Sequence, residues 1–259
     1  MALFTDGGIT TLEDLLGYES SLLETARTEG IDLAIKLALA EEELGIDLQR
    51  FLVQQGARKL GLSHVVVTEA LRKCHTFRAL ALSYRDAYNS QLNDRYLAKW
   101  KAWERRAEWA WEALVETGVG IVETPVARAM RPELSLTAAP AGAATYYVRV
   151  AWLNAAGQEG APSEAAVVTT GEGEAVVVRA VSPPEGATGW NVYAGYAHEE
   201  VMLQNAGPIG IYDRWTLGGM NLISGRGPTD GQPPDYYVQR GGLRSRLDSQ
   251  EGPGLLLRG

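Results

Sequence analysis

The chain has 259 residues, a net charge of −8 and one cysteine, Cys74. With 46% hydrophobic residues it can fill the core of one large domain or two ordinary ones. A single cysteine excludes an internal disulfide and a thiolate metal cluster. The acidic charge argues against a surface that grips DNA, because neutralising phosphates requires clustered Lys and Arg, but it is compatible with a duct through which DNA slides.

The amino-terminal sequence lacks the basic start and the apolar run of a signal peptide. No stretch of the sequence approaches the roughly 18 apolar residues of a membrane span. We therefore expect a soluble protein that is made in the cytoplasm and has no membrane partner.

Three apolar patterns in the first half of the chain repeat at steps of three and four residues, which predicts helices over 33–51, 70–88 and 96–114. Asp32 is the expected N-cap of the first helix and Thr68 that of the second. Only the polar segment NSQLND separates the second and third patterns. These two helices are therefore predicted to form an antiparallel hairpin.

The third helix contains four of the chain's seven tryptophans. At about 100° per residue, Trp100, Trp103 and Trp111 share the face predicted to be core, whereas Trp109 points the opposite way, between Arg105 and Glu112. Trp109 is an isolated surface aromatic, a contact with the second domain, or a subunit contact, since tryptophan is enriched at interface hot spots. The last interpretation makes Trp109, Arg105 and Glu112 candidate interface residues.

An acidic run, Glu41, Glu42 and Glu43, lies in the first predicted helix. The simplest interpretation is a solvated helix face. The functional alternative is an acidic patch that faces a channel.

The composition changes near residue 118, where Gly, Pro, Val and Thr become frequent. Residues 118–132 contain glycines and two prolines and predict a linker. Beyond the linker, apolar residues alternate along a strand that ends at the turn NAAG, and two further strand candidates flank a Pro-Pro-Glu-Gly turn. Short strands at close spacing predict an all-β sandwich. The residues expected on one face of the first strand are Tyr146, Val148, Val150 and Trp152, and those expected in the last strand include Trp190, Val192 and Tyr193.

Residues 223–259 are rich in Gly, Pro and Arg without a sustained period, which predicts an extended tail that is disordered alone. Its aromatic and apolar residues favour docking on a partner, either as an edge strand or in a groove. The alternative is a floppy terminus with chance apolar residues. The candidate docking residues are Tyr236, Tyr237, Arg240, Arg244, Arg246, Leu255, Leu256 and Leu257.

No motif in the sequence indicates catalysis. His64, His75 and His198 are scattered without the spacing of a metal site. Cys74 and His75 are neighbours, but adjacent helical positions point about 100° apart and do not form a catalytic dyad. We therefore predict that the protein is not an enzyme and has no metal or cofactor.

Two β segments resemble fibronectin type III and related immunoglobulin-like modules. YYVRVAWLNAAGQEGAPSE is similar to their late hairpin, and PPEGATGWNVYAG is similar to the early strand that carries the module's tryptophan or tyrosine. Here the late-like hairpin comes first, which implies a permuted module or a local likeness.

The helical half, which includes EGIDLAIKLALAEEELGIDLQRFL and HTFRALALSYRDAYNSQLNDRYLAKWKAWERRAEWAWEAL, resembles the head-to-tail connector, or adaptor, proteins of tailed bacteriophages. This resemblance implies a small helical domain that assembles as a dodecameric ring beneath the portal, with extended segments that reach into neighbouring subunits.

Together these observations predict an α+β multidomain protein. An N-terminal α-helical bundle (1–117) is followed by a linker (118–132), an immunoglobulin-like sandwich (133–222) and an extended C-terminal tail (223–259). The expected function is that of a structural virion protein in the neck, which joins the portal to the next tail protein and lets DNA pass without specific binding. The alternative is a β-sandwich that binds a carbohydrate or a protein and is presented by a helical oligomerisation domain.

Overall fold

The structure, a computed structural model, describes residues 1–91, 94–217 and 221–245. It is an α+β protein whose described part contains five α-helices and eleven strands. The chain divides into two compact units. The helical unit comprises Gly7–Val122 and the residues from Pro234 onward, and the β unit comprises Met1–Asp6 and Glu123–Pro233.

Three helices of the helical unit have side-chain N-caps, which are Thr11, Asp32 and Thr68. The Asp32 carboxylate accepts hydrogen bonds from the backbone N–H groups of Ala34 and Ile35, and Thr68 Oγ1 accepts one from the backbone of Leu71, so both predicted N-caps are confirmed. The three predicted helices are confirmed, and two short helices precede them. The helices are α1 (Leu12–Tyr18), α2 (Leu22–Glu29), α3 (Leu33–Gln54), α4 (Glu69–Gln91) and α5 (Asp94–Thr117).

Helix α4 is the central helix and packs against both α3 and α5. Aromatic pairs fix the direction of α5: the Tyr88 ring stacks on Trp100 at a centroid distance of 5.8 Å, and the Phe77 ring lies 5.7 Å from Trp103. Because residue numbers rise along α4 as they fall along α5, the two helices are antiparallel. The predicted helical hairpin is confirmed.

A small antiparallel sheet completes the helical unit. It has the order β1 (Val119–Ile121), β10 (Tyr236–Gln239), β11 (Gly242–Ser245), with Val119 opposite Val238. Two predictions were wrong here, since the linker 118–132 begins with a strand and the tail 223–259 contains a β-hairpin. The physical reason is burial, because Val119, Ile121 and Val238 are all fully buried.

Gly118 permits this pairing. Its φ of +112° is unfavourable for other residues, and a Cβ at this position would lie 2.8 Å from the Cβ of Tyr237. The close approach of β10 therefore requires glycine at the end of α5.

The β unit contains two antiparallel sheets. Their strands are β2 (Glu133–Ala138), β3 (Ala144–Asn154), β4 (Ala166–Thr170), β5 (Glu174–Arg179), β6 (Ala187–Gly195), β7 (Met202–Leu203), β8 (Ile209–Gly210) and β9 (Trp215–Thr216). One sheet has the order β2-β5-β9, and the other has the order β4-β3-β6-β7 with β8 paired to β6.

The two sheets share one hydrophobic core. The predicted alternation in β3 is confirmed, because Tyr146, Val148, Val150 and Trp152 are all buried in it. Strand β5 of the other sheet contributes Val176 and Val178 to the same core, and β6 contributes Trp190 and Val192. The turn after β3 is also confirmed, since the side-chain carbonyl of Asn154 accepts hydrogen bonds from the N–H groups of Ala156 and Gln158.

The β unit extends beyond the predicted boundaries of 133 and 222 at both ends. Val126 is fully buried in its core, and the Val126 N–H donates to the side-chain carbonyl of Gln232 at 2.6 Å. The N–H of Arg128 donates to the Asp6 carboxylate, which fastens the amino-terminal segment to this unit. Composition did not reveal these contacts, because the glycines and prolines nearby are equally typical of a linker.

Candidate interaction surfaces

The outer face of α5 carries an exposed tryptophan. Trp109 is 64% exposed, and Arg105 and Glu112 on the same side of the helix are also exposed. Trp103, on the opposite side, is buried. The predicted outward orientation of Trp109 is therefore confirmed.

Two of the three tryptophans that were predicted to be core are only half-buried. Trp100 and Trp111 line an open groove of about 430 Å³ between α3, α4 and α5, where they contact Tyr88 and Phe51 respectively. The prediction was wrong in its degree of burial, because α3 and α5 lie on either side of α4 without closing over it. The groove also contains charges of both signs, from Glu43, Asp47, Arg78, Arg85, Glu104 and Glu108.

Helix α3 exposes a second apolar surface, which we call the α3 stripe. Its members are 38–69% exposed although all four are large and apolar: Ile35, Leu39, Ile46 and Val53. At about 100° per residue these positions fall within roughly 40° of one another, opposite the buried face of α3. Sequence reasoning missed the stripe, although the recurrence of apolar residues every seventh position at Leu39, Ile46 and Val53 was a usable signal.

The acidic run in α3 does not form one patch. Glu41 is half-buried, and burial raises the pKa of its carboxyl group, whereas Glu42 and Glu43 are exposed. Successive helical residues point about 100° apart, so Glu43 faces the groove while Glu42 lies within the α3 stripe. The prediction that the three glutamates form one channel-facing patch is therefore wrong, because they do not share one surface.

Part of the predicted docking tail contacts α5 of its own chain. The Arg240 guanidinium pairs with the Glu112 carboxylate at 2.7 Å, and the Arg240 N–H donates to the carbonyl of Val115. Tyr236 and Tyr237 are half-buried in β10. Two residues predicted as interface members, Glu112 and Arg240, thus meet within one molecule.

The remaining tail candidates have little or no described structure. The backbone of Arg244 lies in β11, opposite Tyr237. Arg246, Leu255, Leu256 and Leu257 lie outside the described residues.

No known protein family, curated protein or solved structure matches this chain. The functional assignment therefore depends on its own surfaces and chemistry. In the part of the chain that the structure describes, no three His, Cys, Asp or Glu side chains are grouped as metal ligands, and no helix is both long and apolar enough to cross a bilayer.

The adjacent pair in α4 lies in the protein interior. Burial raises the pKa of the Cys74 thiol to about 12 and lowers the pKa of His75 to about 4. Both groups are therefore neutral at pH 7. A neutral, buried thiol is a poor nucleophile, and Cys74 packs as a small apolar residue.

The β unit holds one buried charged network around Glu159. One carboxylate oxygen accepts hydrogen bonds from Tyr193 and from Asn191, and the other accepts from Arg226 at 3.0 Å and from Thr229 at 3.4 Å. Burial and the neighbouring Glu159 carboxylate raise the pKa of Tyr193. The network fastens the segment around Arg226 to β6, and no sequence motif indicated it.

The two tryptophans in β3 and β6 do not form a binding platform. Trp152 and Trp190 are fully buried, and the Trp190 indole N–H donates to the carbonyl of Gly210. Stacking on a sugar requires an accessible ring face, so neither residue serves a carbohydrate site. Two exposed aromatics of this unit, Tyr196 and Tyr212, lie in segments after β6 and after β8.

Proposed function

We propose that this protein is a head-to-tail connector, or adaptor, of a tailed bacteriophage. It is a structural subunit of the virion neck that assembles as a dodecameric ring, binds the portal on one side and the next tail protein on the other, and lets DNA pass without specific binding. The observation that carries this proposal is the exposed Trp109 on the outer face of the helical hairpin, in the segment that resembles the connector family.

A ring subunit needs two different surfaces, because the contact between neighbours in a ring is heterologous. The helical unit offers two, namely the outer face of α5 around Trp109 and the α3 stripe. The net charge of −8 also suits this role, since an acidic ring holds DNA phosphates weakly and lets the duplex slide.

The β unit has a second role in this proposal. We assign it as an immunoglobulin-like module that projects from the ring and braces the capsid or the next tail component. Two antiparallel sheets around a shared core, with Trp152 and Trp190 buried in it, support this assignment.

The docking role of the tail belongs to residues 246–259 in this proposal. A truncation from residue 239 would also remove the strand β11 and the partner of Glu112, so its effect on docking would be mixed with a loss of fold. Truncation after Ser245 keeps the hairpin and removes Leu255, Leu256 and Leu257.

The test is electron microscopy in negative stain, with mass measurement, of the purified protein alone and mixed with portal rings from the same source. We expect rings of the protein or copies that cap the portal. The chain truncated after Ser245 should keep its circular dichroism spectrum and lose portal binding. A full-length chain that stays monomeric and ignores portal rings contradicts the proposal, and unimpaired docking of the truncated chain contradicts the role of the tail.

A further inference from the structure

The α3 stripe has the spacing of a coiled-coil seam. Steps of four and three residues connect its apolar members with two polar positions, and the seam follows the exposed side of the helix. In a single copy this seam has no partner helix among the described residues. Its six positions are Ile35, Leu39, Glu42, Ile46, Gln49 and Val53.

The outer face of α5 has a seam with the same steps. It differs in size and charge, because small alanines precede Trp109 and an arginine stands where α3 has a glutamate. Five of the six positions are exposed, and Ala102 is half-buried. They are Ala98, Ala102, Arg105, Trp109, Glu112 and Glu116.

The two seams match when the helices are laid side by side in parallel with Ile46 beside Trp109. Leu39 then meets Ala102, so that a large residue packs against a small one. Glu42 meets Arg105, and neither of these two residues has an ion-pair partner among the described residues of its own chain. Opposite charges at one layer of a helical pair favour that register.

The same layers continue to both ends of the pair. Towards the amino termini Ile35 meets Ala98, and towards the carboxyl termini Gln49 meets Glu112. At the last layer Val53 meets the aliphatic stem of Glu116, whose carboxylate can reach water.

Charge disfavours the other pairings of these seams. Two α3 stripes in parallel would place one Glu42 beside the other. An antiparallel arrangement of α3 on α5 with the same central contact would place Arg50 beside Arg105. Like charges at a helical interface repel and suppress the wrong partner.

The direction of the helices within one molecule allows the parallel contact to repeat. The Gly241 N–H donates to the side-chain carbonyl of Gln55, just after α3, and the Arg240 N–H donates to the carbonyl of Val115 near the end of α5. Both helices therefore end at the same hairpin turn. They run in the same direction because each is antiparallel to α4, where Lys36 pairs with Asp86 and Asp47 with Arg78. Rotation about an axis parallel to them brings α3 of one copy beside α5 of the next in parallel, which is the condition for a closed ring.

We infer that the α3 stripe of one copy packs in parallel against the Trp109 face of α5 of the next copy, with Ile46 on Trp109 and Glu42 on Arg105. This inference rests on the proposed ring function, and it names the two surfaces that join neighbouring subunits. The partner is a second copy of this chain, and the contact is heterologous.

Disulfide crosslinking tests the register. A full-length chain with Leu39→Cys and Ala102→Cys should form a ladder of crosslinked oligomers under mild oxidation, because these positions share a layer in the parallel contact. Leu39→Cys with Glu116→Cys is the matched control, since that pair meets only in the antiparallel arrangement. Cys74 is buried and does not compete.

Complementation tests the heterologous contact. Ile46→Asp should inactivate one surface and Trp109→Asp the other, so each variant alone should be monomeric by sedimentation. An equimolar mixture of the two variants retains one intact contact and should stop at a dimer.

The charge pair is tested separately: Glu42→Arg and Arg105→Glu should each weaken assembly at least about tenfold, and the double variant should recover it. Tyr212→Ala, which removes an aromatic that is 82% exposed in the β unit, is the control and should assemble normally.

The outcomes separate this contact from the ring itself. If the Ile46→Asp and Trp109→Asp variants each still form rings like those of the wild type, the contact is overturned and the connector proposal stands. A ladder from the Leu39 and Glu116 cysteines, or a crosslink between two Leu39→Cys chains, overturns the register. A wild-type chain that stays monomeric at every concentration and ignores portal rings, together with no ladder from the Leu39 and Ala102 cysteines, overturns both the contact and the ring.

Discussion

Helices α3 and α4 are adjacent in sequence and nearly equal in length, yet they use their apolar residues differently. Helix α4 packs between α3 and α5, and none of the large exposed apolar side chains in the described residues lies in it. Helix α3 buries one face and leaves Ile35, Leu39, Ile46 and Val53 exposed on the other. The apolar content of α4 is therefore explained by folding alone, whereas that of α3 exceeds what a single copy requires.

The largest change in the free energy of unfolding is expected when one aliphatic residue from each helix is replaced by alanine and the two losses are compared. Leu80→Ala in α4 removes a fully buried side chain and should lower the free energy of unfolding by about 2–5 kcal/mol. Ile46→Ala in α3 should change it by less than about 0.5 kcal/mol in dilute solution, because the side chain is already exposed to water. Urea unfolding followed by circular dichroism at the helix band measures both, and equal losses would contradict the contrast between the helices.

Helix α4 also differs from α3 in that it contains a buried histidine, which should make the stability of the fold sensitive to acid. Burial, followed by the nearby Arg78 guanidinium, lowers the pKa of His75 in α4 to about 4 although its Nε2 bonds the carbonyl of Leu37. The unfolded chain binds the proton at a higher pH than the folded chain. The contribution of His75 to stability is therefore complete above about pH 6.5 and falls by about 3 kcal/mol as the pH drops to 4.

The pH dependence of the unfolding free energy checks this prediction. His75→Gln should flatten the profile between pH 6.5 and 4, since glutamine does not titrate. His198→Gln, at an exposed position of the β unit, should retain the wild-type slope. An unchanged slope in the His75 variant would assign the acid sensitivity to other groups.

The contrast between buried and exposed side chains can also be tested with a charged residue, the buried Glu159 of the β unit. Glu159→Gln keeps the size of the side chain but removes the charge that pairs with Arg226 and accepts from Tyr193. We expect a loss of about 1.5–3 kcal/mol in the unfolding free energy, which is typical of a hydrogen bond to a charged group. Arg149→Gln, on β3 of the same unit, is the control, and a smaller loss for Glu159→Gln than for this control would contradict the structural role of the network.

The smallest expected effect concerns the ion pair between α5 and the carboxyl-terminal hairpin. Arg240 and Glu112 are both half exposed, so Arg240→Ala should cost about 0–1 kcal/mol. Proteolysis of the hairpin should remain slow, because Val238 stays buried. Rapid cleavage after this single change would show that the ion pair, rather than burial, holds the hairpin.

The local patterns of the sequence predicted the helices, the caps and the alternation of β3 because each depends on neighbouring residues. Asp32 and Thr68 act on backbone groups within a few positions, and the period of Tyr146 to Trp152 is a property of the strand itself. The outward orientation of Trp109 was predictable for the same reason, since helix phase alone determines it.

Features that depend on distant residues were not predictable. The pairing of Val119 with Val238, the contact of Arg240 with Glu112 and the bond from Arg226 to Glu159 all join residues far apart in the chain. The half-burial of Trp100 and Trp111 likewise depends on where α3 lies, which periodicity does not specify. The α3 stripe was overlooked because an apolar residue in an amphipathic helix is assigned to the core by default.

The path of the chain between the two units has a consequence for synthesis. The amino-terminal residues belong to the β unit, the chain then builds the helices, returns to the β unit and ends in the helical unit. On the ribosome, β1 emerges more than one hundred residues before β10. The small sheet of the helical unit therefore waits until the whole β unit has been translated, and until then the exposed edge of β1 is open to other nascent chains.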